Sequence, residues 1–551
     1  MLASRPTGVR LAGVAAATIA LVAATLVDGP SAVSSQRPDP RLVTASSPKP
    51  ARGVNAPIPT LHWRKCGRNL QCAEATVPMD YDHPYAAKTT LALARQKASD
   101  PSRRIGTLFV NPGGPGGPAT GFVPYAAQLL GRHIAERFDV VGVDPRGVGG
   151  SAPLVCHDPT PASAPPSVNR YFPYTAKEIT GWLRFDAYLR HLCATNSRPI
   201  LDHMSTADTA RDMDLIRQAL GDKKLSYYGI SYGTYLGATY AAMFPDNIRA
   251  MVVDGVLDPV AWATGRNGNG TKLPFSSRVR SGKGAWLALT SAFAECDRVG
   301  KNRCVLAGDA ARKWQQVVHR LKQGPVTIHG FKFRYSDMVG SALGALYSRR
   351  YYRPLMRFIA AVYDAMFGTA TASAAIDPVN AYKQLKAIIK KGDVTGPYGY
   401  GNAYYMAFQG VACSDSLNPS NPRAWIGAAN ETDHRSPWFG AAWTWASSTC
   451  ASWPGSSADA FRGSFKVHTS APVLIVGNIY DPATPISGAR RLSGLFTGSR
   501  LLTLNGWGHG ALGQSACTKK SMQRYLVRRV LPIQGKVCKP NKLLFPKRLG
   551  G

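Results

Sequence analysis

Residues Tyr227–Gly237 read YYGISYGTYLG, with Ser231 between Gly229 and Gly233 just after the apolar run Leu225–Tyr228. Glycine two residues before and two after a serine marks a sharp strand-to-helix turn, where the two backbones pass too close for a side chain. Such a turn strains the serine backbone and lifts its hydroxyl clear of a sheet, as a nucleophile requires. This is the one GxSxG in the chain, and Gly237 one turn later lets the helix pack closely.

Outward from that turn, strand and helix patterns alternate. GTLFVNPG (Gly106–Gly113) and FDVVGVDPRG (Phe138–Gly147) are short apolar runs ending in turn residues, as buried parallel strands do. Phe122–Arg137 between them reads as a helix. STADTARDMDLIRQALG (Ser205–Gly221) reads as another, with Ser205 and Asp208 as a capping pair and Ala210, Met213, Ile216 and Leu220 on one face. KLSYYGIS is then a strand, YGTYLGATYAAMF a helix and RAMVVDGV (Arg249–Val256) a strand. The alternation predicts an α/β fold with a mostly parallel sheet. It stops near Leu257 and resumes with APVLIVGNIYDPATP (Ala471–Pro485) and SRLLTLNGWGHG (Ser499–Gly510). A long, mainly helical insertion before the last strands predicts a cap over the carboxyl edge. The expected division is a core at 61–256, a cap at 257–465 and a second core part at 466–551 with a basic tail.

The ends and the composition speak for export. A basic start (Met1–Arg10), the apolar run Leu11–Val27 and the small residues Ser31–Ser35 form a signal peptide over 1–34. Seventeen Ala-rich residues are marginal for the alternative, a membrane anchor, and no other stretch is apolar enough to span. Residues 35–60 read as a Pro/Ser-rich leader. Ten cysteines, with no CxxC spacing, predict five disulfides in sequential pairing and no zinc site. Lys and Arg number 66 against 32 Asp and Glu, a formal net charge of +34. Lys519–Arg548 alone holds ten Lys/Arg and no acid. Such charge suits anionic cell-wall polymers, and no recognition motif points to specific nucleic acid. The expected location is extracellular, free or held at the wall.

A serine hydroxyl needs a base, and the base an orienting acid. With a serine on such a turn the chain order is Ser, acid, His. His509 in GWGHG follows the last strong strand, and Asp481 in GNIYDPATP follows the one before. Asp254, which also closes a strand, is the second choice, and Asp144 in DPRG reads as a turn. The loop NPGGPGGPATG (Asn111–Gly121) is nearly free of side chains, so the Gly114 amide can join that of Tyr232 in an oxyanion hole. Read instead as a phosphate loop, it lacks the GK[ST] ending. The chemistry needs no metal and no cofactor.

These residues resemble the secreted tripeptidyl aminopeptidases of actinobacteria, within the proline-iminopeptidase-like α/β-hydrolases. The likeness runs from LHWRKCGRNLQCAEATVPMDYDHP (Leu61–Pro84) through NPGGPGG, DPRGVGGS and YYGISYGTYLGATYAAMFP to VLDP. It returns at ACSDS (Ala412–Ser416), CASWP, DPATP and GHG. It implies an α/β-hydrolase fold, Ser231, Asp481 and His509 as triad, and release of tripeptides or short peptides from free amino termini. Pro118 stands where that family usually has serine, which removes one N–H from the loop. A cationic amino terminus needs an acidic anchor, and the matching family stretch points to Asp415. Glu295 and Asp297, flanking Cys296, are weaker candidates, and each of the three also reads as an ordinary surface carboxylate. Two other functions fit the chain: an esterase or amidase acting on a non-peptide or acylated small molecule, and a non-catalytic basic wall-binding protein.

Overall fold

Short apolar runs bounded by Gly, Pro and Asp become the central strands of one ten-stranded sheet in the computed structural model. The structure describes residues 54–156, 171–368, 376–391 and 402–547. The signal peptide over 1–34 and most of the leader lie outside the described residues. In chain order the strands are β1 (Arg64–Gly67), β2 (Leu70–Pro78), β3 (Lys88–Gln96), β4 (Gly106–Asn111), β5 (Phe138–Val143), β6 (Leu225–Ile230), β7 (Ile248–Asp254), β8 (Val473–Tyr480), β9 (Arg500–Trp507) and β10 (Val537–Cys538). Their order in space is β1-β2-β3-β5-β4-β6-β7-β8-β9-β10. Pairing is antiparallel from β1 to β5 and parallel from β5 onward to β10.

Every residue of β4 and β5 is buried, because helices cover both faces of a parallel sheet. Leu108 and Val110 of β4 point to one face, where they meet α1 (Ala119–Leu130). Phe109 points to the other, with α2 (Thr206–Ala219) and α3 (Tyr232–Met243). The Ser205 hydroxyl accepts the Asp208 amide at the start of α2, the cap its sequence predicts. The helix expected over Phe122–Arg137 is divided. Gly131, at φ 91°, ends α1 and leaves a separate short turn at Arg132–Ala135.

Between β7 and β8 the chain is largely helical and includes α4 (Ser281–Val299), α5 (Tyr335–Leu346) and α6 (Asn402–Asp415). It also forms a small hairpin, Val326–Ile328 with Phe331–Phe333, that its sequence does not announce. The described residues all fall within one compact unit, Ser47–Gly551. After β9, helix α7 (Ala516–Arg528) packs on the same face as α1. All ten cysteines pair sequentially: Cys66–Cys72, Cys156–Cys193, Cys296–Cys304, Cys413–Cys450 and Cys517–Cys538. Among the described residues no helix is long and apolar enough to cross a membrane.

Candidate active site

Ser231 joins β6 to α3 with φ 59° and ψ −126°, a conformation that side-chain-bearing residues rarely adopt. Its neighbours hold it there. A Cβ on Gly229 would lie 2.4 Å from the Gly233 carbonyl oxygen, so strand and helix meet at a distance only glycine allows. The Tyr227 hydroxyl donates to that same carbonyl at 2.7 Å, and the Ser231 amide donates to the Asp254 carbonyl at 3.0 Å.

The glycine loop after β4 lies directly against this turn. A Cβ on Gly113 would stand 2.8 Å from Ser231 Cβ and 2.9 Å from the Tyr232 nitrogen. The Gly113 amide is already spent on Asn111 Oδ1 at 2.9 Å. The Gly114 amide has no partner among the described residues, and the Tyr232 amide, first in α3, has no acceptor within the helix. Pro118 sits at the N-cap of α1 with φ −67°, which its ring prefers, so the loop accepts it without strain. Tyr404 of α6 overhangs the loop, its hydroxyl 2.7 Å from where a Gly114 Cβ would be.

His509 and Asp481 meet at the same sheet edge. His509 Nδ1 lies 2.9 and 3.0 Å from the two Asp481 oxygens. Asp481 is fully buried and also accepts the amides of Ala483, Thr484 and Gly510, all within 2.9 Å. Burial alone favours the neutral acid, but His509 and these amides hold the Asp481 carboxyl below the usual carboxylate range. Burial likewise opposes charge on His509, and the Asp481 carboxylate outweighs it, raising the imidazole above its ordinary value. No hydrogen bond joins His509 to Ser231. Strand register nevertheless brings their loops together, since Ile230 pairs with Asp254 and Asp254 with Val476. A Cβ on Gly510 would come within 2.7 Å of Ile230 Cδ1.

Asp254 stands between the two loops. Its carboxylate accepts the Tyr228 hydroxyl at 2.9 Å and the Ala511 amide at 2.8 Å, and burial pushes it up to about 6. It makes no hydrogen bond to the His509 ring, whereas Asp481 does. Asp144 accepts the amides of Thr120 and Gly150 at 2.8 and 3.0 Å and so braces the loop before α1.

The insertion grips the histidine loop. The His509 amide donates to the Tyr347 carbonyl at 2.8 Å, Ser348 pairs with Gly508, and the Tyr347 ring meets the His509 ring edge-on at 5.2 Å. Nothing in the sequence singles out Tyr347, because the pairing joins segments far apart in the chain. An edge-on aromatic contact is worth about 1 kcal/mol, or roughly fivefold in rate. Tyr347→Ala is therefore expected to lower kcat about fivefold, as steady-state kinetics would show.

The expected substrate anchors look different in place. Asp415 is fully buried, with both oxygens engaged by the Thr206 amide and hydroxyl at 2.7 and 2.6 Å and by the Trp262 indole at 3.4 Å. Burial pushes its carboxyl up to about 6. It joins separate segments of the chain, with both oxygens already hydrogen-bonded. Glu295 gives both oxygens to Arg298 one turn along α4, and Asp297 accepts the amides of Gly308 and Ala310. Among the described residues one group, His203, Asp208 and Asp459, brings three metal-type ligand atoms within 4.8 Å of one another. Asp208 there is already taken by Ser205 and Arg211.

Comparison with known proteins follows the same lines. The model of the alpha/beta hydrolase fold matches residues 106–275, and that of the TAP-like proteins matches 436–538. A tripeptidyl aminopeptidase of Streptomyces lividans is 30% identical over 89% of this chain and 88% of its own. The serine protease Hip1 of Mycobacterium tuberculosis is 28% identical over 96% of each. A protein named carboxylesterase B from the same species is 29% identical over 89% of this chain and 92% of its own.

Proposed function

We propose a mechanism for a chain that belongs to the tripeptidyl aminopeptidase family of α/β-hydrolases and is a serine peptidase. Ser231 Oγ attacks the scissile carbonyl while His509 Nε2 takes its proton, and Asp481 holds the imidazole and steadies its positive charge. The oxyanion lies between the amides of Gly114 and Tyr232, each donor worth about 3–4 kcal/mol of barrier. His509 returns the proton to the leaving amine, and water then releases the acyl group with the same base. The observation that carries this reading is the His509–Asp481 pair on the sheet edge that also bears the strained Ser231.

The substrate is a peptide with a free amino terminus, from which tripeptides or short peptides are released. The name of the Streptomyces relative supports this. The basic, apolar start of the chain and the five disulfides support export, and the charge of +34 supports attachment to anionic wall polymers.

The test compares a tripeptide amide of a chromogenic amine, its N-acetylated form and a simple acyl ester, with the fragments weighed by mass spectrometry. Intact tripeptide freed only from the free-amine substrate is the expected result. A second reading, an esterase or amidase, gains from the relative named carboxylesterase B and from the engaged state of Asp415 and Glu295. Turnover of the ester or the blocked peptide, with the free peptide untouched, would select it.

A further inference from the structure

Asp415 is engaged on the side of the turn that carries the oxyanion donor. Three segments distant in the chain meet there: Thr206 at the start of α2, Tyr232 at the start of α3 and Asp415 at the end of α6. All three side chains are buried, at most 1% exposed. The Thr206 hydroxyl lies 2.6 Å from Asp415 Oδ2, and the Tyr232 hydroxyl is hydrogen-bonded to Thr206 Oγ1. A carboxylate can only accept, so the Thr206 proton points to Asp415. Thr206 Oγ1 must then accept from Tyr232, which sets one direction for the chain: Tyr232 O–H to Thr206 O–H to Asp415. The Thr206 amide and the Trp262 indole anchor the far end, and the Tyr232 ring packs on Trp262 at 6.0 Å.

Tyr232 follows the nucleophile, and its amide and its phenol leave the same Cα. Fixing the phenol at the end of a directed relay fixes the orientation of the peptide plane that faces the oxyanion. From this we infer that Asp415 and Thr206 are positioning residues for the oxyanion hole, which act through Tyr232. The inference rests on the role proposed above for the Tyr232 amide. It assigns Asp415 to the stabilisation of the tetrahedral intermediate in place of recognition of the amino terminus. It also makes the insertion part of the catalytic apparatus, because α6 is tied down by Cys413–Cys450.

Two nearly isosteric substitutions test it. Thr206→Val removes the hydroxyl and breaks the relay at both ends, whereas Thr206→Ser keeps it. Thr206→Val is expected to lower kcat about tenfold with KM within twofold, and Thr206→Ser to stay near wild type. Inhibition by a peptidyl trifluoromethyl ketone, whose adduct carries the oxyanion, should weaken in proportion, while Kd for the product tripeptide stays constant. Preference for free over acetylated amino termini should not move. A network that only staples the insertion to the core would lower Tm and leave the ketone as potent as on wild type, which overturns the inference. A Thr206→Val variant that changes KM or amino-terminus preference alone overturns it too. Labelling of Ser231 by a serine-directed phosphonate keeps the two proposals apart. If Ser231 labels and Ser231→Ala is inert, an unaffected Thr206→Val sinks this inference alone. If Ser231 does not label, both fall.

Discussion

Ser231→Ala is expected to lower kcat by about 10⁶-fold, the scale seen when a triad nucleophile is lost. The turn at φ 59° is shaped by Gly229, Gly233 and Gly113, not by the hydroxyl, so alanine adopts it as readily as serine and Tm should hold. What remains active in the variant is the oxyanion hole with its substrate, worth about 10³–10⁴ over water. The measurement is kcat on a chromogenic tripeptide amide, with phosphonate labelling of both proteins read by mass spectrometry. A variant that keeps even a tenth of wild-type activity would remove Ser231 from the reaction.

Asp481→Asn carries the second largest effect, about 10⁴-fold in kcat. An asparagine can present its amide N–H₂ to Nδ1, which drives the ring to the tautomer that leaves Nε2 protonated and unable to take the Ser231 proton. The same change has a pH signature whose sign is set by the pair. In its proposed role His509 is a base only when neutral, and Asp481 raises its pKa above the ordinary imidazole value. Wild-type kcat/KM should therefore rise with pH through an acid limb displaced above the ordinary imidazole range. Without the carboxylate the imidazolium loses its stabilising charge, and the limb moves to lower pH. The measurement is a pH profile of kcat/KM for wild type, Asp481→Asn and Asp254→Asn. An unmoved limb and near-normal kcat in Asp481→Asn, with the large loss in Asp254→Asn, would transfer the role to Asp254.

Strands β4 to β9 and the turn at Ser231 were legible because each is announced locally. An apolar run of the right length is a buried strand wherever it sits, and glycine on both sides of a serine has few other uses. Asp481 and His509 could be picked because the ends of consecutive parallel strands lie at one edge. Local signals also misled. Phe122–Arg137 has helical composition throughout, yet Gly131 at φ 91° divides it. Asp415 sits beside its cysteine as the family pattern implies, and an acid in that position reads as an anchor for an amine. Only the packing of α6 against the starts of α2 and α3 reveals that its oxygens face Thr206 and Trp262.

By itself the sequence determined the alternation of strands β4 to β9 with the helices of the core, the strained turn at Ser231, the glycine loop beside it and the sequential cysteine pairs. These depend on periodicity, on backbone conformations that only glycine tolerates and on short spans of chain. Tertiary structure decided which acid faces His509, that Tyr347 grips the histidine loop, and that the Asp415 carboxylate is closed to solvent. Those outcomes depend on side chains brought together from segments up to 209 residues apart, as Thr206 and Asp415 are. Whether a buried carboxylate meets an imidazole, an amide or a hydroxyl is settled by a few ångströms of packing that no local pattern encodes.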